Sequence, residues 1–410
     1  MEFQTKLIHG NWSGDSQTGA TNVPIYCSNA FKHGTAKELE NIFAGRELGY
    51  VYSRIANPTV DAFEKRITAV EGGVSSLATS SGMSAIYLAI MNILKPNDEI
   101  ISTSGIFGGT YNLFKHLEEY HISVKILDKL DEEALRSEIT DKTKVVFTET
   151  IGNPKLDILD IEAAAKVCTE KNVILMVDST LTTPYLIRPF DYGADIIIHS
   201  TSKYLNGNSN AIGGVIIDGG SKKYNDDRFT GFKQYSKRFG KFAFIARLRS
   251  EMAKDIGAIM SPMNSFLSLI GIETLALRMK THCENAVKLA GFLDNHAKVT
   301  AVNYPLLKNS IYYSIAKKYY AKGAGAIITC RLGSKENAFN FIDQLRLISN
   351  LVNIGDSKTL IVHPASTICA DNTLEEKIQM GVYEDLVRIS VGIEDCYDLL
   401  EDADQALRKI

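Results

Sequence analysis

A chain of 410 residues with 45% hydrophobic and 23% charged side chains has the composition of an ordinary globular protein, long enough that more than one core is expected. Its 45 basic and 48 acidic residues leave a net charge of −3, which argues against nucleic acid as a partner. The six cysteines lie far apart with no C-x-x-C and no compact Cys/His group, so no metal site is expected, and no leader-like start or apolar run of membrane length is present, which predicts a cytoplasmic protein without a membrane partner.

Strand and helix patterns alternate from about residue 60 to residue 220. In "GGVSSLATSSGMSAIYLAIMNIL" a short strand and a run of small residues lead into a strongly apolar helix, and "DEIISTSGIFGGTYNLFKHL" repeats the order strand, turn, helix. The stretch from Thr143 to Ser179 reads as a βαβ unit, with Asp160 capping a helix whose apolar stripe is Ile161, Ala164, Ala165 and Val167, and with Lys171 and Asn172 closing it. Two further strands follow in "ADIIIHS" and "AIGGVIIDGG". The pattern predicts a mainly parallel sheet with helices on both faces, and a ligand at the carboxyl ends of its strands. Past about residue 255 the character changes. A long helical pattern from Pro262 to His296 precedes scattered strands such as "GAIITCRL" and a helix in "KENAFNFIDQL", which predicts a smaller α+β domain.

Three features of the first region bear on chemistry. Asp178 ends the strand "VILMV", so a carboxylate emerges from an apolar run where its charge requires a partner. Lys203 follows the next strand, so both side chains could reach one crevice; by themselves the two residues read equally as a structural feature, an ion pair or an Asp helix cap, or as part of a site. "SSGMSA", Ser80 to Ala85, sets small residues at a helix start, which suits either a tight packing turn or a bound phosphate. A carboxylate, a lysine and an anion site on one edge are together the three contacts that pyridoxal phosphate needs, at its ring nitrogen, its aldehyde and its phosphate. His199 beside them reads as a packed core histidine, and His363, before a proline, as a turn or entrance residue.

The motifs "YSRIANPT", "EGG", "SSGMSAI", "ETIGNP", "VDSTLTTPYLIRPFDYGADIIIHSTSKYLNG" and "VRISVGIED" resemble those of the Cys/Met-metabolism family of pyridoxal-phosphate enzymes, fold type I, over nearly the whole chain. The resemblance implies an α/β fold with a mainly parallel sheet of the seven-stranded type and a smaller C-terminal α+β domain. It divides the chain into an arm (1–59) that reaches the neighbouring subunit's site, a cofactor-binding domain (60–255) and a C-terminal domain (256–410). By the same resemblance Lys203 is the Schiff-base lysine and Asp178 the partner of the pyridinium nitrogen. Ser200 and Ser202, with the backbone of Gly82 and Met83, cradle the phosphate, and Tyr52 and Arg54 reach the phosphate held by the neighbouring subunit. Asn153 contacts the cofactor's phenolic oxygen, while Arg388 clamps the substrate's α-carboxylate, with Asn353 also at the substrate. The implied assembly is a homodimer of subunits that share active sites, paired into a homotetramer.

Within that family the stretches "FGGTYNLFK", "SPMNSFLSLIGIETLALR" and "NIGDSKTLIVHPAST", Gly109 where methionine γ-lyase has cysteine, and the insertion-like "FTGFKQYSKRFGKFAFIARLRSEMAKDIGA" are similar to the O-acetylhomoserine sulfhydrylase branch. The implied reaction is replacement of the acetyl ester of O-acetyl-L-homoserine by sulfide or methanethiol, giving homocysteine or methionine and acetate. A methionine γ-lyase, cystathionine γ-lyase or cystathionine γ-synthase type of activity is the alternative within the family. A remote one is a serine hydrolase, because Ser200 to Lys203 fits S-x-x-K, although the accompanying K-T-G is present only as "KTL". Three places depart from the family text: Phe107 replaces the tyrosine that stacks on the cofactor ring, "ICAD" replaces the usual Thr-His after "HPAST", and "NSNAIGG" replaces the usual Gly-His after "KYLNG". An aromatic face survives at Phe107, but the hydroxyl does not.

Overall fold

The computed structural model describes residues 1–12 and 14–410. The apolar runs between Val74 and Asp218 form seven strands: β1 (Ser75–Thr79), β2 (Glu99–Thr103), β3 (Ser123–Leu127), β4 (Thr143–Glu149), β5 (Ile174–Asp178), β6 (Ile196–Ser200) and β7 (Gly214–Asp218). They join in the order β1-β7-β6-β5-β4-β2-β3, with β2 to β6 mutually parallel and β7 antiparallel to both its neighbours. Helices cover both faces, and every residue of β5 and nearly every residue of β6 is buried, which is why these strands read as unbroken apolar runs. The helix Ile161–Glu170 begins where the sequence places it, with the Asp160 side chain accepting from Ala163 N.

A second, smaller sheet follows in β8 (Ala301–Asn303), β9 (Ile327–Arg331), β10 (Ser349–Asn350), β11 (Leu360–Val362) and β12 (Leu386–Ser390), ordered β10-β11-β12-β9-β8 and mostly antiparallel. The link between the sheets corrects one expectation. The pattern from Pro262 to His296 is two helices, Pro262–Glu273 and Leu275–Asp294, broken at Thr274. Arg278 causes the break to be tolerated: its Nη2 donates to Gly271 O at 2.6 Å and its Nε to Thr274 Oγ1 at 3.1 Å, replacing intrahelical partners. The same guanidinium donates through Nη1 to Tyr204 O at 2.7 Å, so it fastens the helix pair to the segment that carries Lys203.

The close approach at that point requires glycine. A Cβ on Gly271 would stand 2.3 Å from Asn206 O and 2.6 Å from Leu205 O, both backbone atoms that have nowhere to go. Gly271→Ala is therefore expected to destabilise the fold by about 1–3 kcal/mol, measured as a lowered thermal midpoint, and to disturb the Lys203 segment before any distant part of the chain.

Candidate active site

At the carboxyl edge of β4, β5 and β6 lies a cavity of about 510 Å³, closed on the far side by residues 352–354, Ile368 and Arg388. The structure brings into it Gly82, Met83, Phe107, Asn153 and Asp178 from the first sheet's side. Ser200, Ser202 and Lys203 join them, and Asn353 and Arg388 come from the C-terminal part. Tyr52 and Arg54 are not brought there. They stand on the arm, with the Arg54 guanidinium over the Tyr52 ring at 5.4 Å, and Arg54 Nη1 donates to Lys254 O within the insertion-like segment.

The helix Gly82–Met91 begins at this edge. Ser81 caps it, accepting from Ser84 N at 3.1 Å, which leaves the amides of Gly82 and Met83 without intrahelical acceptors. A Cβ on Gly82 would lie 2.7 Å from Ser200 Cβ, so glycine is what lets the helix start approach the end of β6. Ser202 Oγ both accepts from Gly213 N at 3.0 Å and donates to Gly213 O at 3.2 Å, which holds the turn after β6. Small residues, free amides and hydroxyls thus line this end of the cavity, the kind of donor set that suits an anion.

Asp178 is at the end of β5 in Cα register with Glu149 at the end of β4, so two buried carboxylates stand side by side. They are not equivalent. Burial raises the Asp178 carboxyl, but the side chain and amide of Thr180, the latter donating to Oδ1 at 2.9 Å, and the nearby His199 ring pull it back. Glu149 accepts a single amide hydrogen bond, from Phe107 N at 2.7 Å, and burial followed by the Asp178 charge pushes it well above the usual range. Behind Asp178, His199 Nε2 meets Glu71 Oε1 at 2.5 Å with both side chains fully buried. The histidine is thus packed as expected but only half satisfied, since its Nδ1 and Glu71 Oε2 have no partner among the described residues.

Lys203 and Asp178 do not form the ion pair that the sequence left open. The lysine Nζ donates instead to Asn353 Oδ1 at 2.6 Å, and burial, then the Arg388 charge, push its pKa down to about 8. Arg388 is 3% exposed on the middle of β12; its Nη1 donates to Asn153 Oδ1 at 3.1 Å and its Nη2 to Asn353 O at 3.2 Å. Its Nε is buried and unpartnered, and among the described residues no carboxylate lies in ion-pair range of it. A buried guanidinium with spare donors has the chemistry to bind a carboxylate. Phe107, at the start of the helix Gly108–Glu118, presents an aromatic ring at the cavity mouth. His363 caps the turn Pro364–Ser366 and is buried, so it is a turn residue and not part of the entrance.

Sequence reasoning missed Glu149, Thr180, Ser209 and Asp356. Glu149 had the same signal as Asp178, a carboxylate ending an apolar strand. Thr180 is the third residue of an Asx turn begun by Asp178, a weaker cue. Among the described residues no group of His, Cys, Asp and Glu could hold a metal, and no helix is long and apolar enough to cross a membrane.

The profile of the Cys/Met metabolism PLP-dependent enzyme family matches residues 4–408. A Leptospira meyeri O-acetyl-L-homoserine sulfhydrylase is 42% identical over 99% of this chain and 97% of that protein, and a Schizosaccharomyces pombe homocysteine synthase is 40% identical over 99% and 98%. Among solved structures, a Campylobacter jejuni protein described as an O-acetylhomoserine (thiol)-lyase, carrying N'-pyridoxyl-lysine-5'-monophosphate, superposes with a TM-score of 0.96 at 34% identity over 100% of both chains. A Lactobacillus plantarum cystathionine γ-lyase with L-serine superposes at 0.87 with 33% identity, covering 100% of this chain and 99% of its own.

The inequality of the two carboxylates is testable. A carboxyl raised in the folded state binds its proton longer than in the unfolded state, so wild-type stability falls as pH rises from the ordinary glutamate range through the folded pKa. Glu149→Gln keeps an acceptor for Phe107 N and removes that slope; its thermal midpoint, relative to wild type, is expected to rise steadily with pH above about 4.5. A constant difference across pH would contradict the assignment.

Proposed function

Because the chain belongs to the Cys/Met metabolism PLP-dependent enzyme family, we propose that it replaces the γ-ester group of O-acetyl-L-homoserine with sulfide or methanethiol, forming homocysteine or methionine and acetate. The observation that carries the reading is the convergence on one cavity of a lysine amine of lowered proton affinity, a buried carboxylate and a buried guanidinium with free donors. The named sulfhydrylase and homocysteine synthase relatives support the acetyl ester and the thiol.

The residues fit pyridoxal phosphate. The Gly82 and Met83 amides with Ser200 and Ser202 would hold its phosphate, Phe107 would lie against its ring, Asn153 would contact its phenolic oxygen and Lys203 would hold its aldehyde carbon. When bound, the cofactor supplies a cationic ring that draws electrons from the substrate carbon beside the amino group. Asp178 keeps that ring's nitrogen protonated by setting a negative charge opposite it. Arg388, with Asn353 beside it, takes the substrate carboxylate and so fixes which bond at the α-carbon faces Lys203. Lys203, neutral in a useful fraction near pH 8, takes a proton from the α-carbon and then one from the β-carbon so that the γ-ester can depart, and returns one to each once the thiol has added at the γ-carbon. Acetate leaves the γ-carbon and the thiol takes its place. The wall formed by Leu181, Ile212, Val352, Ile354 and Ile368 gives water few hydrogen bonds, which favours a soft thiol over water as the incoming group.

Tyr52 and Arg54 lie outside this chain's own cavity, which supports a dimer in which each arm reaches the other subunit's phosphate, and two such dimers as a tetramer. The six unpaired cysteines suit a reducing cytoplasm.

The purified protein is expected to be yellow and to form homocysteine or methionine from O-acetyl-L-homoserine only when sulfide or methanethiol is added. Release of 2-oxobutyrate and ammonia unaffected by thiol would move the activity to the γ-lyases. Lys203→Ala is expected to lose at least about 10²-fold in kcat, while Arg388→Lys, which keeps the charge but not the planar fork, is expected mainly to raise KM for the amino acid, by roughly tenfold or more.

A further inference from the structure

The Lys203 amine begins a chain of hydrogen bonds that the proposed mechanism does not use. Nζ meets Asn353 Oδ1 at 2.6 Å, Asn353 Nδ2 meets Ser209 Oγ at 2.7 Å, and Ser209 Oγ meets Asp356 Oδ2 at 2.5 Å. The direction of each bond is forced by the one before it. A carboxylate only accepts, so the Ser209 hydroxyl gives its single proton to Asp356; its oxygen must then accept from the Asn353 NH2; and the amide is left with its oxygen toward the lysine. The far end is rigid. Asp356 is buried, and its Oδ1 takes the Lys358 amide at 3.1 Å and the Lys358 ammonium at 3.2 Å. Ser209 stands in the left-handed region, at φ 53°, inside the "NSNAIGG" stretch that departs from the family text. Arg388 holds Asn353 from the other side through its backbone oxygen, at 3.2 Å.

We propose that Ser209 and Asp356 are positioning residues for Lys203: by locking the Asn353 amide oxygen-inward, they give the lysine a fixed docking acceptor whenever its amine is not bonded to the cofactor. The proposal rests on the reading of Lys203 as the proton carrier. Its physical content is a bias in proton affinity. An oriented carbonyl dipole backed by a carboxylate favours the ammonium form, whereas an amide free to turn would present NH2 and disfavour it. The other charged groups around Lys203 are Arg388 on β12, which opposes the ammonium, Asp178 and Glu149 at the ends of β5 and β4, and Lys358, which offsets part of the Asp356 charge. None of them orients the amide.

The test uses the full chain. In protein stripped of cofactor, the pH dependence of Lys203 acetylation by acetic anhydride, followed by mass spectrometry, gives the half-point of the amine. Ser209→Ala and Asp356→Asn are expected to lower it by about one pH unit, and Ser209→Thr, which keeps the hydroxyl, to restore it. In the holoenzyme the acidic limb of the kcat profile should move the same way, with KM for O-acetyl-L-homoserine changed less than about twofold. An unmoved half-point in folded Ser209→Ala and Asp356→Asn overturns the proposal. Borohydride reduction of the wild-type holoenzyme separates the two readings. If the cofactor's mass is absent from Lys203, the function assigned to that lysine fails and the proposal with it; if it is present and the half-point is unmoved, the positioning role alone fails.

Discussion

Arg388 is a guanidinium buried between two sheets, with no carboxylate among the described residues in ion-pair range to neutralise it. Burial draws its pKa down to about 10, and its acceptors among the described residues are the neutral oxygens of Asn153 and Asn353. A charge in that position is costly unless its surroundings hold it in one geometry, and the architecture is arranged to do so. β12 pairs on both sides, with β11 and β9, so the Cα of Arg388 is fixed opposite Val362 and Thr329. Its head then meets the loop after β4 through Asn153. The second sheet is thus docked onto the first by a cation whose remaining donors face the cavity. Arg278 repeats the device one layer away, joining Gly271 to Tyr204 and Leu205. The lysine segment is consequently clamped from behind, and the buried guanidinium facing it is clamped from in front.

The opposite wall solves the converse problem with anions. Parallel pairing of β4 and β5 sets Glu149 and Asp178 side by side, and two like charges in a buried site cannot both persist. The chain separates them by environment. Thr180 and the His199 ring favour charge on Asp178, whereas Glu149 has one backbone amide and a carboxylate neighbour. Pairs of groups whose surroundings push their proton affinities apart mark sites of acid–base work. Here the carboxylate whose surroundings favour charge is the one proposed to face the cofactor's ring, and the one more strongly driven to hold its proton fixes the backbone of Phe107.

What could be read from the sequence follows the range of the interactions. β4, β5 and β6 were legible because burial on both faces makes apolar runs, and Asp178 and Lys203 were legible because each interrupts one. The helix Ile161–Glu170 announced its own cap. The break at Thr274 was not legible, because it depends on Arg278 meeting the Tyr204 carbonyl, a contact between segments that share no local pattern. Glu149 was overlooked although it carried the same cue as Asp178, since its meaning comes from strand order, which places β4 next to β5. Ser209 and Asp356 lie in stretches the sequence singles out, but nothing local marked their roles: one depends on a left-handed turn, the other on where that turn lands.

The two ends of the cavity differ in how complete they are. From Lys203 through Asn353 and Ser209 to Asp356, each polar group in the chain of hydrogen bonds is matched by another of the same chain. At the end proposed to take the phosphate, a single chain offers two amides, a helix dipole and two hydroxyls, all of them neutral. Neutral donors can orient a phosphate dianion but leave most of its charge to be met by something else. The arm carries the missing kind of group in Arg54, yet holds it away, bonded to the carbonyl of Lys254 in the segment that distinguishes this chain's insertion. The chemistry of the lysine is therefore built into one fold, whereas full charge on the phosphate calls for a cation that this fold directs outward. Under the function proposed above, that division is a physical reason to place the cofactor's phosphate between two chains and the substrate's carboxylate within one.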